Sequence, residues 1–370
     1  MGKRVLFLTL KVFSATGGIE KVCRVAGKAL YETGLQCGAT VKIFSMYGPP
    51  AIADGNKYFP QLLFKGFNQH KTWFVLKSLQ QGRKSHIVLL SHINLLLVGW
   101  LIKKIRPSAK LVLLAHGIEV WQPLSSWKKK MLATLDLILP VSHFTKEKMQ
   151  SLYGLPDERF VVINNCLDPF LELPLEKEKD ESLLNRYGLQ KTQPVLLTVS
   201  RMVDTEHYKG YDKVLCTLPA LIKSHPGIRY LLVGRTDVAE QKRLDQLIQN
   251  LGVADAVIFT GFIADEELAA HFRLADIFVM PSEKEGFGIV FIEAMFYGLP
   301  VIAGNRDGST DALCNGEMGL LIDPENINAL TNAISSILNN REAWLPDQQK
   351  LRDHFSYEGY KEKLKTSLAL

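Results

Sequence analysis

Apolar residues in this chain fall in short unbroken runs. In the first half they are RVLFLTL (4–10), ATVKIFSM (39–46), HIVLLSH (86–92), KLVLLAHG (110–117), LDLILPVS (135–142) and FVVINN (160–165). Between several of them the apolar positions take up helical spacing, as in GIEKVCRVAGKALYETG (18–34) and over 93–105. A run with no polar alternation is a strand buried on both faces. Such strands separated by helices predict a parallel sheet covered on both sides. Residues 166–192 break the pattern: LDPFLELPLEKEKDESLL, within them, is rich in proline and charge and reads as a linker. The pattern then restarts with PVLLTVS (194–200), RYLLVG (229–234), AVIFTGF (256–262), DIFVMPS (276–282) and PVIAG (300–304). The expected fold class is α/β, with two tandem Rossmann-like, doubly wound parallel-sheet domains at 1–165 and 193–352. Open sheets of this kind bind ligands at the carboxyl ends of their strands, so two of them facing each other would enclose an inter-domain cleft.

Composition agrees with that picture. The chain has 370 residues, 47% hydrophobic and 22% charged, a balance typical of soluble globular proteins and a length suited to two domains. Its five cysteines include no C-x-x-C pair, which argues against a disulfide framework or a zinc site and for a reducing compartment. The opening MGKR is positive, but the apolar run after it lasts only six residues before Lys11, so a buried first strand is a better reading than a secretion signal. LLLVGWLI (95–102) is too short to span a bilayer. A cytoplasmic protein is expected.

Charge adds an asymmetry. Residues 1–165 hold 23 Lys+Arg against 8 Asp+Glu, a balance of +15, and the remainder hold 21 against 30, a balance of −9. A basic half suits an anionic substrate or an anionic membrane surface; no nucleic-acid motif accompanies it, so nucleic acid is not expected as a partner. HKTWFVLKSLQQGRK (70–84) sets Trp73, Leu76 and Leu79 at helical spacing beside Lys71, Lys77, Arg83 and Lys84, and WKKKM (127–131) adds a cationic run. The segment fits a helix packed on the sheet, and equally one lying on an anionic bilayer.

The densest chemistry lies in SEKEGFGIVFIEAMFYG (282–298). A strand ends before it and helical periodicity begins within it. Glu285, Gly286, Phe287 and Gly288 therefore occupy a strand-to-helix turn, where free backbone N–H groups favour an anion and glycine permits its close approach. Glu293 follows Glu285 by eight positions, at most about 12 Å of helical rise. Carboxylates accept hydrogen bonds from vicinal hydroxyls, so one glutamate could hold a ribose and the other a hexose, with a diphosphate between them. The spacing alone fits equally well a solvated helix with two surface glutamates.

Glu285-Gly-Phe-Gly288 through Glu293-Ala294, then Gly298, Pro300 and Val301, resembles the E-x7-E signature of retaining glycosyltransferases of family 4, enzymes of the GT-B fold. The resemblance implies that Glu285 meets the donor sugar, that Glu293 meets the ribose, and that Gly286, Phe287, Gly288, Ile289 and Val290 line the donor. SRMVDTEHYKGYD (200–212) resembles the family's R…KG-x-D segment, with a longer insertion than is commonest, and implies that Arg201 and Lys209 neutralise the donor diphosphate. FTGFIADEEL (259–268) resembles the loop beside the nucleobase, with Ile263 offering backbone groups. YLLVGRTD (230–237) has Thr236 where the family often has a second glycine, and Arg235 receives no role. SATGGIEKV (14–22) lacks the G-x-G-x-x-G order of dinucleotide folds. It resembles the family's GG loop, which implies donor contacts from Gly17 and Gly18. His116 matches a family histidine near the reacting face of the sugar. His92 reads as structural, and Ser142 as a helix cap. The C-terminal segment, about 353–370, resembles a closing helix that crosses back onto the first domain.

No two aspartates stand two positions apart, so the Asp-x-Asp chelator of metal-dependent enzymes is missing from the sequence. The expected reaction is metal-independent and retaining, with no cofactor. It moves a hexose, mannose or glucose by preference, from a UDP- or GDP-sugar to a glycan or polyprenyl-linked acceptor in polysaccharide assembly. The resemblance implies that the departing phosphate oxygen takes the acceptor proton, so no general base is assigned. A nucleotide-sugar epimerase and a non-catalytic nucleotide-sugar-binding protein are the alternatives on the same fold.

Overall fold

A computed structural model describes residues 2–14, 17–52, 56–172 and 179–370. The chain divides into two units, Met1–Phe170 with Phe355–Leu370, and Leu171–His354. In the first unit the order is β1 (Arg4–Thr9), α1 (Gly18–Cys37), β2 (Thr40–Ser45), β3 (Phe64–Gly66), α2 (Lys71–Gly82), β4 (Ile87–Leu90), α3 (Leu96–Ile105), β5 (Lys110–Ala115), α4 (Ser126–Leu132), β6 (Leu137–Pro140) and α5 (His143–Tyr153). In the second it is α6 (Glu181–Tyr187), β7 (Val195–Val199), α7 (Tyr211–Ser224), β8 (Arg229–Val233), α8 (Val238–Leu251), β9 (Val257–Gly261), α9 (Asp265–Leu274), β10 (Ile277–Met280), α10 (Ile289–Phe296), β11 (Val301–Gly304), α11 (Ser309–Ala312), β12 (Leu320–Ile322), α12 (Ile327–Asn339) and α13 (Gln348–Phe355). The last helix, α14 (Tyr357–Leu368), belongs to the first unit.

Both sheets are wholly parallel, ordered β3-β2-β1-β4-β5-β6 and β12-β11-β10-β7-β8-β9. Counted from each unit's own first strand, the two orders are the same doubly wound path. The direction of winding reverses between β1 and β4 and between β7 and β10, the two places where this topology opens a crevice at the carboxyl ends of the strands.

Alternation along β1 assigns its side chains to opposite faces. Val5 and Phe7 join Cys23, Ala26 and Leu30 of α1 and Tyr360 and Leu364 of α14 in one core, whereas Leu6 and Leu8 join Phe74, Val98, Ile102, Met131 and Leu132 of α2, α3 and α4 in another. The Tyr357 hydroxyl donates to Glu32 at 2.8 Å and Lys361 reaches the same carboxylate at 3.3 Å, tying α14 to α1. Ser142 caps α5, its hydroxyl accepting from Thr145 N at 3.1 Å. No helix among the described residues is long and apolar enough to cross a membrane.

Three details differ from the reading of the sequence. The run 160–165 is not a strand of the sheet. Phe160 makes one bridge to Ile138, and Val161 and Ile163 donate to Ile138 and Pro140, but Pro140 has no N–H to return a bond. Of the span 166–192 read as a linker, 173–178 lie outside the described residues; Cys166 and Leu167 are buried in the first unit, and residues 181–187 form a helix burying Leu183 and Leu184, capped by Asp180. The short edge strands β3 and β12, three residues each, carry too little periodicity to be read in advance.

Candidate active site

The turn after β10 is held by residues far apart in sequence. Lys209 donates to the Glu285 carboxylate, with side-chain exposures of 17% and 18%. Burial alone would lower the Lys209 pKa, and the adjacent carboxylate more than reverses this, so the ammonium is held above its usual range and stays charged. Gly210, which follows, has φ +76°, and a Cβ there would lie 2.3 Å from the carbonyl oxygen of Pro281. The KG pair thus presses against the end of β10 in a conformation that only glycine adopts without strain. Glu283 N donates to Tyr208 O at 2.8 Å, joining the same two segments.

Asp307, which sequence reasoning missed, supports this turn from below. Its Oδ2 accepts from Ser282 Oγ and from Glu285 N, each at 2.7 Å, and its Oδ1 accepts from Ser309 N at 2.9 Å. Gly308 N donates to Glu285 O at 2.8 Å. Asp307 is fully buried, and burial pushes its pKa up to about 6 despite these donors. The signal available in sequence was weak: an Asp-Gly-Ser after a strand is an ordinary turn.

Gly288 caps α10 at φ +82°, with Phe291 so close that a Cβ would sit 2.3 Å from its ring. Ile289 and Val290 form the first turn of α10 and are partly exposed. Phe287 is different: the residue is 1% exposed, so its ring packs inward. Glu293 is 4% exposed. That is not the surface glutamate of a solvated helix.

The long insertion between Arg201 and Lys209 is anchored to the start of α8. Met202 pairs with Thr236, Asp204 N donates to Asp237 at 3.0 Å, and His207 Nε2 meets the fully buried Glu240 at 2.8 Å. Burial would raise the Glu240 pKa, but Arg243, bonded to it through Nε at 2.8 Å and Nη2 at 2.6 Å, holds it below the usual carboxylate range. Asp204, His207 and Glu240 bring three ligand-type atoms within 4.8 Å. Because Glu240 already serves both Arg243 and His207, the trio works as a fastening for the loop. Arg201, 72% exposed at its side chain, pairs with Glu206 at 2.6 Å. Ile263 follows β9 and is half-buried. Next to it, Arg235 stacks its guanidinium 4.8 Å from the exposed ring of Phe262.

The remaining expected residues lie in the first unit, also at strand ends. Gly17 caps α1 and Gly18 begins it. His116 follows β5, and its Nε2 lies 2.8 Å from Ser91 O. A carbonyl only accepts, so Nε2 carries the proton and Nδ1 is a bare acceptor, buried and without a partner among the described residues. Burial lowers the His116 pKa to about 4, so the ring is neutral. Glu119, also missed in the sequence, accepts from His116 N at 2.6 Å and braces the loop at Gly117, whose φ is +137°. His92 Nδ1 accepts from Asn94 N at 3.1 Å and caps a short helical turn.

Comparison with known proteins accounts for both units. Residues 16–169 match the model of Glycosyltransferase Family 4, and residues 179–362 match that of Glycosyl transferases group 1. The chain is 32% identical over 238 residues to a GDP-mannose-dependent alpha-(1-6)-phosphatidylinositol monomannoside mannosyltransferase of Mycobacterium tuberculosis, a match spanning 61% of this chain and 60% of that enzyme. It is 30% identical over 217 residues to a D-inositol 3-phosphate glycosyltransferase of Acidothermus cellulolyticus, spanning 56% of this chain and 47% of that one. The chain thus aligns with about three fifths or less of the length of these relatives. Among solved structures, Anabaena Alr3699/HepE in complex with UDP-glucose superposes with a TM-score of 0.79 at 22% identity over 99% of both chains. Sucrose-phosphate synthase from Thermosynechococcus elongatus does so with 0.74 at 22% identity over 98% of both. With two family models between them matching nearly the whole chain and the doubly wound fold repeated in each unit, this protein belongs to glycosyltransferase family 4 and has the GT-B fold.

Proposed function

We propose that the chain transfers a hexose, mannose or glucose, from a UDP- or GDP-sugar to a glycan or polyprenyl-linked acceptor, with retention at the anomeric carbon and without a metal. The observation that carries this reading is the Lys209–Glu285 pair at the turn entering α10. It sets an ammonium, held charged by that carboxylate, where a helix start offers free N–H groups. In this reading Lys209 and Arg201 neutralise the diphosphate, Glu285 binds the hexose, and Glu293 binds the ribose. Gly286, Phe287, Gly288, Ile289 and Val290 line the donor and Ile263 flanks the base; in the first unit, Gly17, Gly18 and neutral His116 are read as donor contacts.

The bond from the anomeric carbon to the phosphate oxygen breaks, the bond to the acceptor oxygen forms on the same face, and the departing phosphate oxygen takes the acceptor proton. Fixed cations meet the developing charge, the role a bound metal has elsewhere. The mannosyltransferase relative supports mannose and a lipid-borne acceptor, and the UDP-glucose complex of the Anabaena protein supports a nucleotide-sugar donor. A polyprenyl-linked acceptor would place the enzyme at the inner face of a membrane, in polysaccharide or lipopolysaccharide assembly.

The test is incubation with GDP-mannose and UDP-glucose, with and without polyprenyl-diphosphate-linked sugar acceptors, in the presence of EDTA. An α-linked product formed in EDTA is expected from these α-configured donors. Inverted product, or transfer restored only by a divalent ion, would count against the mechanism. Isomerised donor would point to an epimerase.

A further inference from the structure

We infer that Glu206 competes with the donor diphosphate for Arg201, weakening the hold on nucleotide and speeding its release after transfer. The inference rests on the proposed placing of Arg201 and Lys209 at the diphosphate, and adds to that site a residue that works against binding.

Arg201 and Lys209, on the loop after β7, each meet a carboxylate. Lys209 donates to Glu285, and Arg201 Nη2 lies 2.6 Å from Glu206 Oε1. These four charges cancel, so the two pairs present no surplus positive charge to an anion. The pairs are built differently. Lys209 and Glu285 are both mostly buried, whereas the Arg201 side chain is 72% exposed and that of Glu206 14%. An ion pair with so exposed a partner contributes little, and Arg201 leaves it readily.

Glu206 lacks the bonding of a carboxylate that fastens a loop. Both oxygens of Glu240 are engaged, by Arg243 and His207, and both of Asp307, by Ser282, Glu285 and Ser309. In Glu206 only Oε1 is bonded. Oε2 is buried and has no partner among the described residues. The backbone holds this residue in the loop: its N–H donates to Val203 O at 2.8 Å, and its carbonyl accepts from Lys209 N at 3.0 Å. The side chain nevertheless acts on the site. Burial first, and the Glu206 charge next, push the Tyr208 phenol above its usual range. Against the burial that would lower the Lys209 pKa, Glu285 foremost and Glu206 with it raise it.

A diphosphate offers Arg201 a forked, charge-assisted pair. Once Arg201 turns to it, Glu206 loses its one donor and stays behind as a mostly buried, uncompensated carboxylate in a site that now holds an anion. That state is unfavourable. It opposes the intact donor and the departing nucleoside diphosphate alike, so it raises KM and loosens product without acting on the bond that breaks. Among variants of one site such differences fall mainly on the dissociation rate.

The test is calorimetric titration of UDP and GDP into the full chain and its variants, with steady-state kinetics alongside. Glu206→Gln should bind the nucleotide that the parent prefers about tenfold tighter, with donor KM lowered to match, no rise in kcat and stronger product inhibition. Its melting temperature should equal or exceed the parent's. A gain in affinity is a result that a damaged loop does not give. Glu206→Ala leaves the backbone bonds in place and should show the same gain. Uridine and guanosine, which lack the diphosphate, should bind parent and variants alike. Unchanged or weaker nucleotide binding in both Glu206 variants would make the residue a brace for Arg201 and overturn the inference, leaving the proposed reaction standing. Arg201→Ala tests the underlying reading: affinity equal to the parent's would take Arg201 off the diphosphate, and this inference with it.

Discussion

Lys209 and Glu285, 76 positions apart, are bonded to each other at the mouth of the second sheet. The pair joins the loop after β7 to the turn after β10, the strands that flank the point where this sheet reverses its winding. Removing either partner leaves a charge in a site of 17–18% exposure. That should lower stability by less than the about 3–5 kcal/mol of a fully buried pair. If Lys209 meets the donor diphosphate, Lys209→Ala should also remove one of its two fixed cations. A loss of about 1.5–3 kcal/mol, roughly ten- to 150-fold, is expected in kcat/KM. Steady-state kinetics decides it, and near-parental turnover in a folded variant would take Lys209 off the diphosphate.

Glu293 is tested by nucleotide binding alone. Glu293→Ala should weaken UDP or GDP by about 1.5–3 kcal/mol if the carboxylate takes ribose hydroxyls. Calorimetric titration of the free nucleotide measures it. Unchanged affinity would assign Glu293 a purely structural place in α10.

Asp307 links pH to stability. Its folded pKa, about 6, lies above the ordinary 3.8, so the folded state holds a proton that the unfolded chain has released between those values. The buried carboxylate therefore costs stability at neutral pH, and that cost is relieved as pH falls from about 6 toward 4. Asp307→Asn should remove this contribution and set an amide N–H against donors at Ser282, Glu285 or Ser309, destabilising the fold by about 1–3 kcal/mol at neutral pH. Melting curves of both proteins from pH 4 to 8 should show their difference changing across that window. A constant difference would place the Asp307 proton elsewhere.

His116 should not limit the reaction at ordinary pH. With a folded pKa of about 4, the ring is already neutral at pH 5. Transfer should therefore show no inflection near 6.5 that His116→Asn abolishes. NMR of the ring should place its titration well below 6, and a value near 6.5 would show that burial does not hold the ring neutral.

Gly288→Ala should shift the start of α10. The backbone there has φ +82° and the new methyl would meet the Phe291 ring. A loss of about 1–3 kcal/mol is expected, with weaker nucleotide binding. A melting temperature equal to the parent's would show that the turn relaxes freely.

Much of the fold was legible before any coordinates. The strands near 4–10, 86–92, 194–200 and 276–282 announced themselves because a strand buried on both faces is a nearly unbroken apolar run, and that is a property of neighbours in sequence. The resemblance around Glu285, Glu293, Arg201 and Lys209 carried the family. Phe287 looked like a ligand contact and turned inward, because a ring beside two glycines reads alike whether it lines a site or fills a core.

Asp307, Glu240 and Glu119 could not be read at all. Each is an ordinary carboxylate in its own segment: Asp307 also accepts from Ser282 and Glu285, and Glu240 meets His207, across the fold, while Glu119 accepts from His116 N in a loop whose form the sequence does not declare. Nearest-neighbour chemistry, repeated along the chain, determined the two sheets and the turn that enters α10. Which charges meet was decided only by the order in which the strands lie side by side, because Coulomb and hydrogen-bond energies depend on distance in space, and the packed core sets that distance.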